Sequence, residues 1–93
     1  VNRDEYLLWK AAEECAELTQ RLAKAARFGM EDEQPTLPGA GTNRERIREE
    51  WKDLLVAMHL LGFGTHVTGS EERQRLERIQ KYMDYSRAQG TLT

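Results

Sequence analysis

Two short stretches carry the same acidic pattern. In EECAEL, residues 13 to 18, Glu14 and Glu17 stand three apart with a leucine behind them. In EEWKDL, residues 49 to 54, Glu50 and Asp53 repeat that spacing, again followed by leucine. Residues three apart on a helix lie roughly 60° apart around the axis and roughly 4.5 Å along it, so each pair forms a two-pronged oxygen claw. With Cys15 and Leu18 set at heptad positions a and d, Glu14 is g and Glu17 is c; with Trp51 and Leu54 at a and d, Glu50 is g and Asp53 is c. The claws therefore occupy equivalent places at the edges of two apolar stripes. Antiparallel packing of those stripes would bring them face to face.

Four carboxylates in one cleft repel one another and resist loss of water, so a cation must offset them. Hard divalent ions suit the donor set. Magnesium takes oxygen ligands, keeps several waters, and shares a few carboxylates with substrate phosphates. Zinc or iron fits less well, because the paired acids bring no imidazole and the Glu-x-x-His pattern of di-iron bundles is missing. The plainer alternative is a pair of solvated helix faces whose acids meet nearby bases. Glu17 has Arg21 four residues on, whereas Asp53 has no base at that distance.

The elements that must position these acids are helices. Steps of three and four run through Leu8, Ala11, Cys15, Leu18, Leu22 and Ala25, which predicts a helix from about Asn2 or Arg3 to Phe28. Asn2 with Glu5 supplies a start, and Gly29 a stop. Residues 30 to 42, MEDEQPTLPGAGT, form a connecting loop because Pro35, Pro38, Gly39 and Gly41 interrupt regular structure. Thr42 with Glu45 matches a capping box, and a second stripe follows at Ile47, Trp51, Leu54, Met58 and Leu61. That helix should end near Gly62 to Gly64. After GTHVTGS, residues 64 to 70, Ser70 is expected to cap a third helix over Glu71 to Gln89, with Leu76, Ile79 and Met83 on one face. No strand-period segment competes, and the fold class is all-α: three main helices in one domain of residues 1–93.

Composition narrows the partners. The 93 residues carry 14 basic and 16 acidic side chains, a net charge of −2, which offers no broad basic surface for nucleic acid. Charged residues make up 32% of the chain and hydrophobic ones 39%, a balance that suits short helices packing on other subunits. The longest apolar run, Leu54 to Gly64, contains His59 and is too short for a bilayer, so no membrane is expected. A lone Cys15, read as a small core residue, suits a reducing cytosol. With no targeting segment in view and Val1 as a trimmed start, the expected location is cytoplasmic. His59 and His66 read as structural or surface residues.

Beyond this, the chain resembles the MazG-like all-α nucleoside triphosphate pyrophosphohydrolases. The likeness rests on Glu14-x-x-Glu17 followed by Glu50-x-x-Asp53, and on EECAELTQRLAKAARFG with Lys24 and Arg27 downstream of the acids. It extends through REEWKDLLVAMHLL and through KYMDYSRAQGTL, residues 81 to 92, so it covers nearly the whole sequence. The resemblance implies Mg²⁺, with Mn²⁺ able to substitute, held by Glu14, Glu17, Glu50 and Asp53. It implies attack of water on phosphorus and cleavage of the α–β bond of a nucleoside triphosphate, giving a nucleoside monophosphate and pyrophosphate. Lys24, seven residues beyond Glu17 on the same face, is expected to reach phosphate, with Lys81, Tyr85 and Arg87 as further contacts. Trp9 is expected to stack on a base, while Trp51 on the stripe packs. Three helices close a nucleotide pocket poorly, so a homo-oligomer, dimer or tetramer, is expected, completing a four-helix-type bundle. Two other readings stand beside this one: a related pyrophosphohydrolase acting on a substrate such as phosphoribosyl-ATP, and a non-catalytic helical oligomerisation module.

Overall fold

Residue types at the helix ends set the architecture. In the computed structural model, which describes residues 1–34, 39 and 41–93, three helices follow in order: α1 Arg3–Phe28, α2 Asn43–Leu60 and α3 Gly69–Ala88. The described residues contain no strand, only an isolated bridge between Glu33 and Thr42. Pro35 and Pro38, expected to break the connecting loop, lie outside the described residues.

Each helix begins on a side chain that accepts an otherwise unbonded backbone N–H. The Asn2 carbonyl takes the Glu5 N–H at 2.8 Å. Thr42 takes the Glu45 N–H at 3.2 Å, and the Glu45 carboxylate returns to the Thr42 N–H at 3.3 Å, a full capping box. α3 starts differently from expectation. Its cap is Thr68, whose hydroxyl takes the Glu71 N–H at 3.2 Å while Glu71 accepts the Thr68 N–H at 2.9 Å. Ser70 has no acid three residues on to complete a box, since Arg73 stands there, so the reciprocal pair at Thr68 prevails. Gly29 stops α1 as expected, with its N–H bonded to Ala25 O at 2.8 Å. Its φ of 100° with ψ of 152° lies in a region that only glycine enters cheaply.

α1 and α2 pack as an antiparallel hairpin, and α3 packs against neither. The closed end of the hairpin is clamped by Asn43, which is fully buried and donates from Nδ2 to Gly29 O at 2.8 Å. Around it, Asn43 N–H bonds Asp32 O at 3.0 Å and Arg44 N–H bonds Met30 O at 2.8 Å. At the open end Arg3 reaches Leu60 O at 3.4 Å.

The seam between the helices is one residue out of phase with the expected stripe. On α1 it runs through Leu7, Ala11, Glu14, Leu18, Arg21 and Ala25, whereas Leu8, Cys15 and Leu22 face outward. On α2 it runs through Asn43, Arg46, Glu50, Leu54, Ala57 and Leu61, and Trp51 is half exposed rather than packed. Both phases satisfy the three-four spacing. The observed one places alanines where the helices approach and puts polar side chains at the interface. The buried apolar residues are only Leu7, Ala11, Ala25 and Ala57 among those described.

Such a seam leaves a large surface. The chain exposes 7535 Å², against about 5,500 Å² for a folded monomer of this mass. Its radius of gyration is 16.6 Å, against about 12 Å for a compact domain of this length. The stripe of α3, Leu76, Ile79 and Met83, is exposed throughout.

The Asn43 clamp gives a direct check on this packing. Asn43→Asp removes the amide donor and buries a charge, so it should destabilise by more than the about 1–3 kcal/mol expected when a buried hydrogen-bond partner is lost. Asn43→Ala should fall within that range. Urea denaturation at constant m-value measures both.

Candidate functional site

The phase of the seam brings the acids into the hairpin itself. Glu14 is 3% exposed and projects from the middle of α1 toward α2. One carboxylate oxygen from each of Glu14, Glu50 and Asp53 lies within 4.8 Å of the others. Glu14 is buried, Glu50 half-buried and Asp53 exposed, so the cluster opens from the interior to solvent. Glu17 stands near enough to Glu14 and Glu50 to act on both, but outside that three-oxygen set. The claws do not sit at stripe edges, as their assigned g and c positions required. Glu14 and Glu50 occupy the seam because the true stripe passes one residue before Cys15 and Trp51.

The cluster's electrostatics are asymmetric. Lys10, one turn before Glu14, places Nζ 2.9 Å from Glu14 Oε1 and holds that carboxyl below its usual range despite burial. Among the described residues no cation holds Glu50 down in the same way. Burial first, then the adjacent Glu17 and Glu14 carboxylates, push Glu50 up to about 7. Among the described residues three buried side-chain oxygens have no hydrogen-bond partner: Glu14 Oε2 and Glu50 Oε2 in this cluster, and Asn43 Oδ1 at the closed end of the hairpin. An acceptor stranded in this way costs about 1–3 kcal/mol, more when charged, and two of them stand in one acidic cluster. A divalent cation fits the donor set, which is all carboxylate oxygen, converging and partly open to water.

Two cavities adjoin the acids, each of about 340 Å³. One is lined by Leu7, Val56, Ala57 and Leu60, with Lys10, Glu14 and Asp53 at its acidic edge. The other lies on the far side of Glu50, between Arg21 and Arg46, with Glu45 and Glu49. Arg46 is almost buried and donates to Gln34 Oε1 at 3.2 Å.

The other sequence-predicted residues are more dispersed. Lys24 is half-buried on α1, but the bases beside Glu50 are Arg21 and Arg46. Trp9 is 73% exposed on the outer face of α1. Lys81, Tyr85 and Arg87 belong to α3, which does not touch the hairpin, so within one chain they stand apart from the acids. Cys15, expected in the core, is exposed, as are His59 and His66. Sequence reasoning passed over Lys10, Arg21 and Arg46. Lys10 was legible as a lysine four residues before an acid, the spacing that joins neighbours on one helix face. Arg21 was noticed only as a partner for Glu17, and no ion pair forms between them among the described residues.

No family model matches this chain, and no curated protein or solved structure is significantly similar to it. The case for a function therefore rests on the motifs and on this geometry.

A raised carboxyl gives a definite pH signature in the metal-free protein. Glu50 keeps its proton in the folded state up to about 7, while in the unfolded chain it loses it near the ordinary 4.5. The folded state thus binds more protons between those values, and stability falls as pH rises through that window. Glu14, held low by Lys10, acts in the opposite sense and only below its ordinary 4.5. In EDTA, the wild type should lose melting temperature from pH 5 to pH 8. Glu50→Gln should flatten that slope and melt higher than wild type at pH 8, as thermal denaturation at several pH values will show.

Proposed function

We propose that this chain is a Mg²⁺-dependent nucleoside triphosphate pyrophosphohydrolase of the MazG-like kind, a cytoplasmic enzyme that works as a homo-oligomer. The observation that carries the reading is that Glu14 and Glu50, each with a buried and unpartnered oxygen, cluster with Asp53 between two helices. The motif order along the chain supports the same reaction.

Glu14, Glu50 and Asp53 would hold the ion, which when bound supplies positive charge to phosphate oxygens and lowers the pKa of a bound water. Glu17, beside the cluster but outside the three-oxygen set, would take the proton of the attacking water in this reading. The water oxygen bonds to the α-phosphorus. The bridging oxygen leaves with its electron pair as part of pyrophosphate, and the nucleoside monophosphate remains. Lys10 provides the counter-charge at Glu14 Oε1 and leaves Oε2 without a hydrogen-bond partner.

Assembly follows from surface area. The roughly 2,000 Å² of surface beyond that of a compact monomer exceeds the roughly 800 Å² per partner of an ordinary stable interface. α3, with an apolar stripe and no partner in its own chain, is the element most in need of a second copy. Only through such a copy would Lys81, Tyr85 and Arg87 approach an acid cluster. The same exposed stripes favour a second reading, a helical oligomerisation module without catalysis, which requires the acids to be dispensable.

Three measurements decide between these readings. In a pyrophosphate-release screen over canonical and modified nucleoside triphosphates and phosphoribosyl-ATP, wild type with Mg²⁺ should turn over at least one substrate. Glu14→Gln and Glu50→Gln should each lower that rate by about two orders of magnitude, the scale of losing an essential electrostatic contact. Full activity in both variants would leave the oligomerisation module as the better reading. Millimolar Mg²⁺ should raise the melting temperature of wild type by mass action, and the rise should vanish in Glu50→Gln. Light scattering at micromolar concentration should give a dimer or tetramer; a fully active 10.8 kDa monomer would contradict the assembly.

A further inference from the structure

The face of α1 left outside the hairpin is patterned as regularly as the seam. Leu8, Ala12, Cys15, Thr19, Leu22 and Ala26 follow in alternating steps of four and three, and all are exposed. Trp9, Ala16 and Ala23 flank them at seven-residue intervals and are exposed as well. Neither row carries a charge over about 27 Å of helix, in a chain whose residues are 32% charged. The Thr19 hydroxyl already donates to the Cys15 carbonyl at 2.9 Å, so covering it strands no donor. α2 packs on the neighbouring stripe and α3 packs on neither helix, so among the described residues nothing in the chain itself covers this face.

We infer that this face of α1 binds the same face of a second copy, with the two helices antiparallel about a two-fold axis. Of the proposed function the inference uses only the assembly, and it stands whether or not the acids are catalytic. The order of side-chain sizes selects the occupant. A two-fold contact needs a patch that complements itself, in which residue i meets j and j meets i. Set antiparallel about a point between Cys15 and Thr19, Leu8 falls on Ala26 of the second copy, Ala12 on Leu22, and Cys15 on Thr19. On the flank Trp9 falls on Ala23, and Ala16 meets its own counterpart. Large side chains face small ones in the outer layers and two of middle size meet at the centre, an arrangement that fills the space between close helices.

Other occupants fit less well. Parallel pairing in register sets Leu8 on Leu8 and Ala12 on Ala12, which crowds some layers and leaves voids at others. A partner of unrelated sequence gives no reason for the alanines to lie symmetrically opposite the leucines. Surface area allows the contact. The roughly 2,000 Å² by which the chain exceeds a compact monomer is more than twice the roughly 800 Å² that a stable partner covers, which leaves room for this contact beside one on α3.

Cysteine cross-linking of the full chain tests the orientation, with diamide as the oxidant. Thr19→Cys should give a covalent dimer within minutes, joining Cys15 of each copy to the new thiol of the other, because facing small residues bring Cβ atoms within disulfide reach. Wild type, with Cys15 alone, and Cys15→Ser combined with Thr19→Cys should link at least tenfold more slowly. Comparable linking in all three would mean parallel or collisional contact and would overturn the inference. Ala12→Glu places a carboxylate in the face at an exposed site that the hairpin does not use, and it should halve the mass read by light scattering at micromolar concentration. If Ala12→Glu keeps the mass of wild type and Thr19→Cys fails to link, this face is not the interface, although the proposed assembly survives through another. A wild type of 10.8 kDa would remove both. The Mg²⁺-dependent rise in melting temperature, measured on Ala12→Glu, reads the acid cluster separately and should persist.

Discussion

A carboxylate buried between two helices is the constraint on which this structure turns. Glu14 lies where a helical hairpin ordinarily places leucine, and removing such an ion from water costs several kcal/mol even after relaxation. Lys10 meets one oxygen, and the other has no partner. Across the seam, Glu50 cannot relieve it as a carboxylate, since two like charges in that space repel. Its proton is retained to about 7 for that reason together with burial. The protein thus holds a charge distribution that is poor for packing and apt for a divalent cation.

The rest of the hairpin compensates at its ends and through small residues. Ala11, Ala25 and Ala57 allow close approach of the backbones, and Leu7 is the largest buried apolar side chain among the described residues. The fully buried Asn43 ties the start of α2 to the stop of α1, which fixes the register of the two helices. Register is what makes the acids converge. A slip of one turn would separate Glu14 from Asp53 by about 5 Å along the axis and dissolve the three-oxygen set. The clamp at Gly29 and Asn43 is therefore remote from the site and yet determines its geometry.

How much of this could be read from the sequence divides along physical lines. Helices and their limits were legible because caps are local: Asn2, Thr42 and Gly29 act on residues within a turn of themselves. Even the misplaced start of α3 was local, since Thr68 and Glu71 form a better reciprocal pair than Ser70 can. The phase of the seam was not legible in the same way. Leu8-Cys15-Leu22 and Leu7-Glu14-Arg21 are adjacent stripes with the same period, and hydrophobicity favours the first. The structure adopts the second, because tertiary context overrides apolar preference where alanines flank polar groups. Three of the four acids, Glu14, Glu50 and Asp53, still meet, since adjacent stripes keep the same spacing, while Glu17 stays outside that set. The positions of Lys10, Arg21 and Arg46 did not survive it, because their relevance depends on the seam they share with the acids.

The exposed faces and the acidic seam are consequences of one choice. Seam positions occupied by Asn43, Arg46 and Glu50 cannot also hold leucine, so the hairpin buries little apolar surface and the large side chains Leu8, Leu22 and Trp51 are left outside. At about 25 cal/mol per Å² of apolar surface, the stability forgone inside one chain is recoverable only on those outer faces, against another surface. A cation held as proposed would quench the repulsion that the seam contains. The inner face therefore needs a ligand and the outer face needs a neighbour, and each need arises from the same replacement of apolar by ionisable residues. If the proposed ion and the proposed second copy both bind only the folded hairpin, each would add to its stability by mass action.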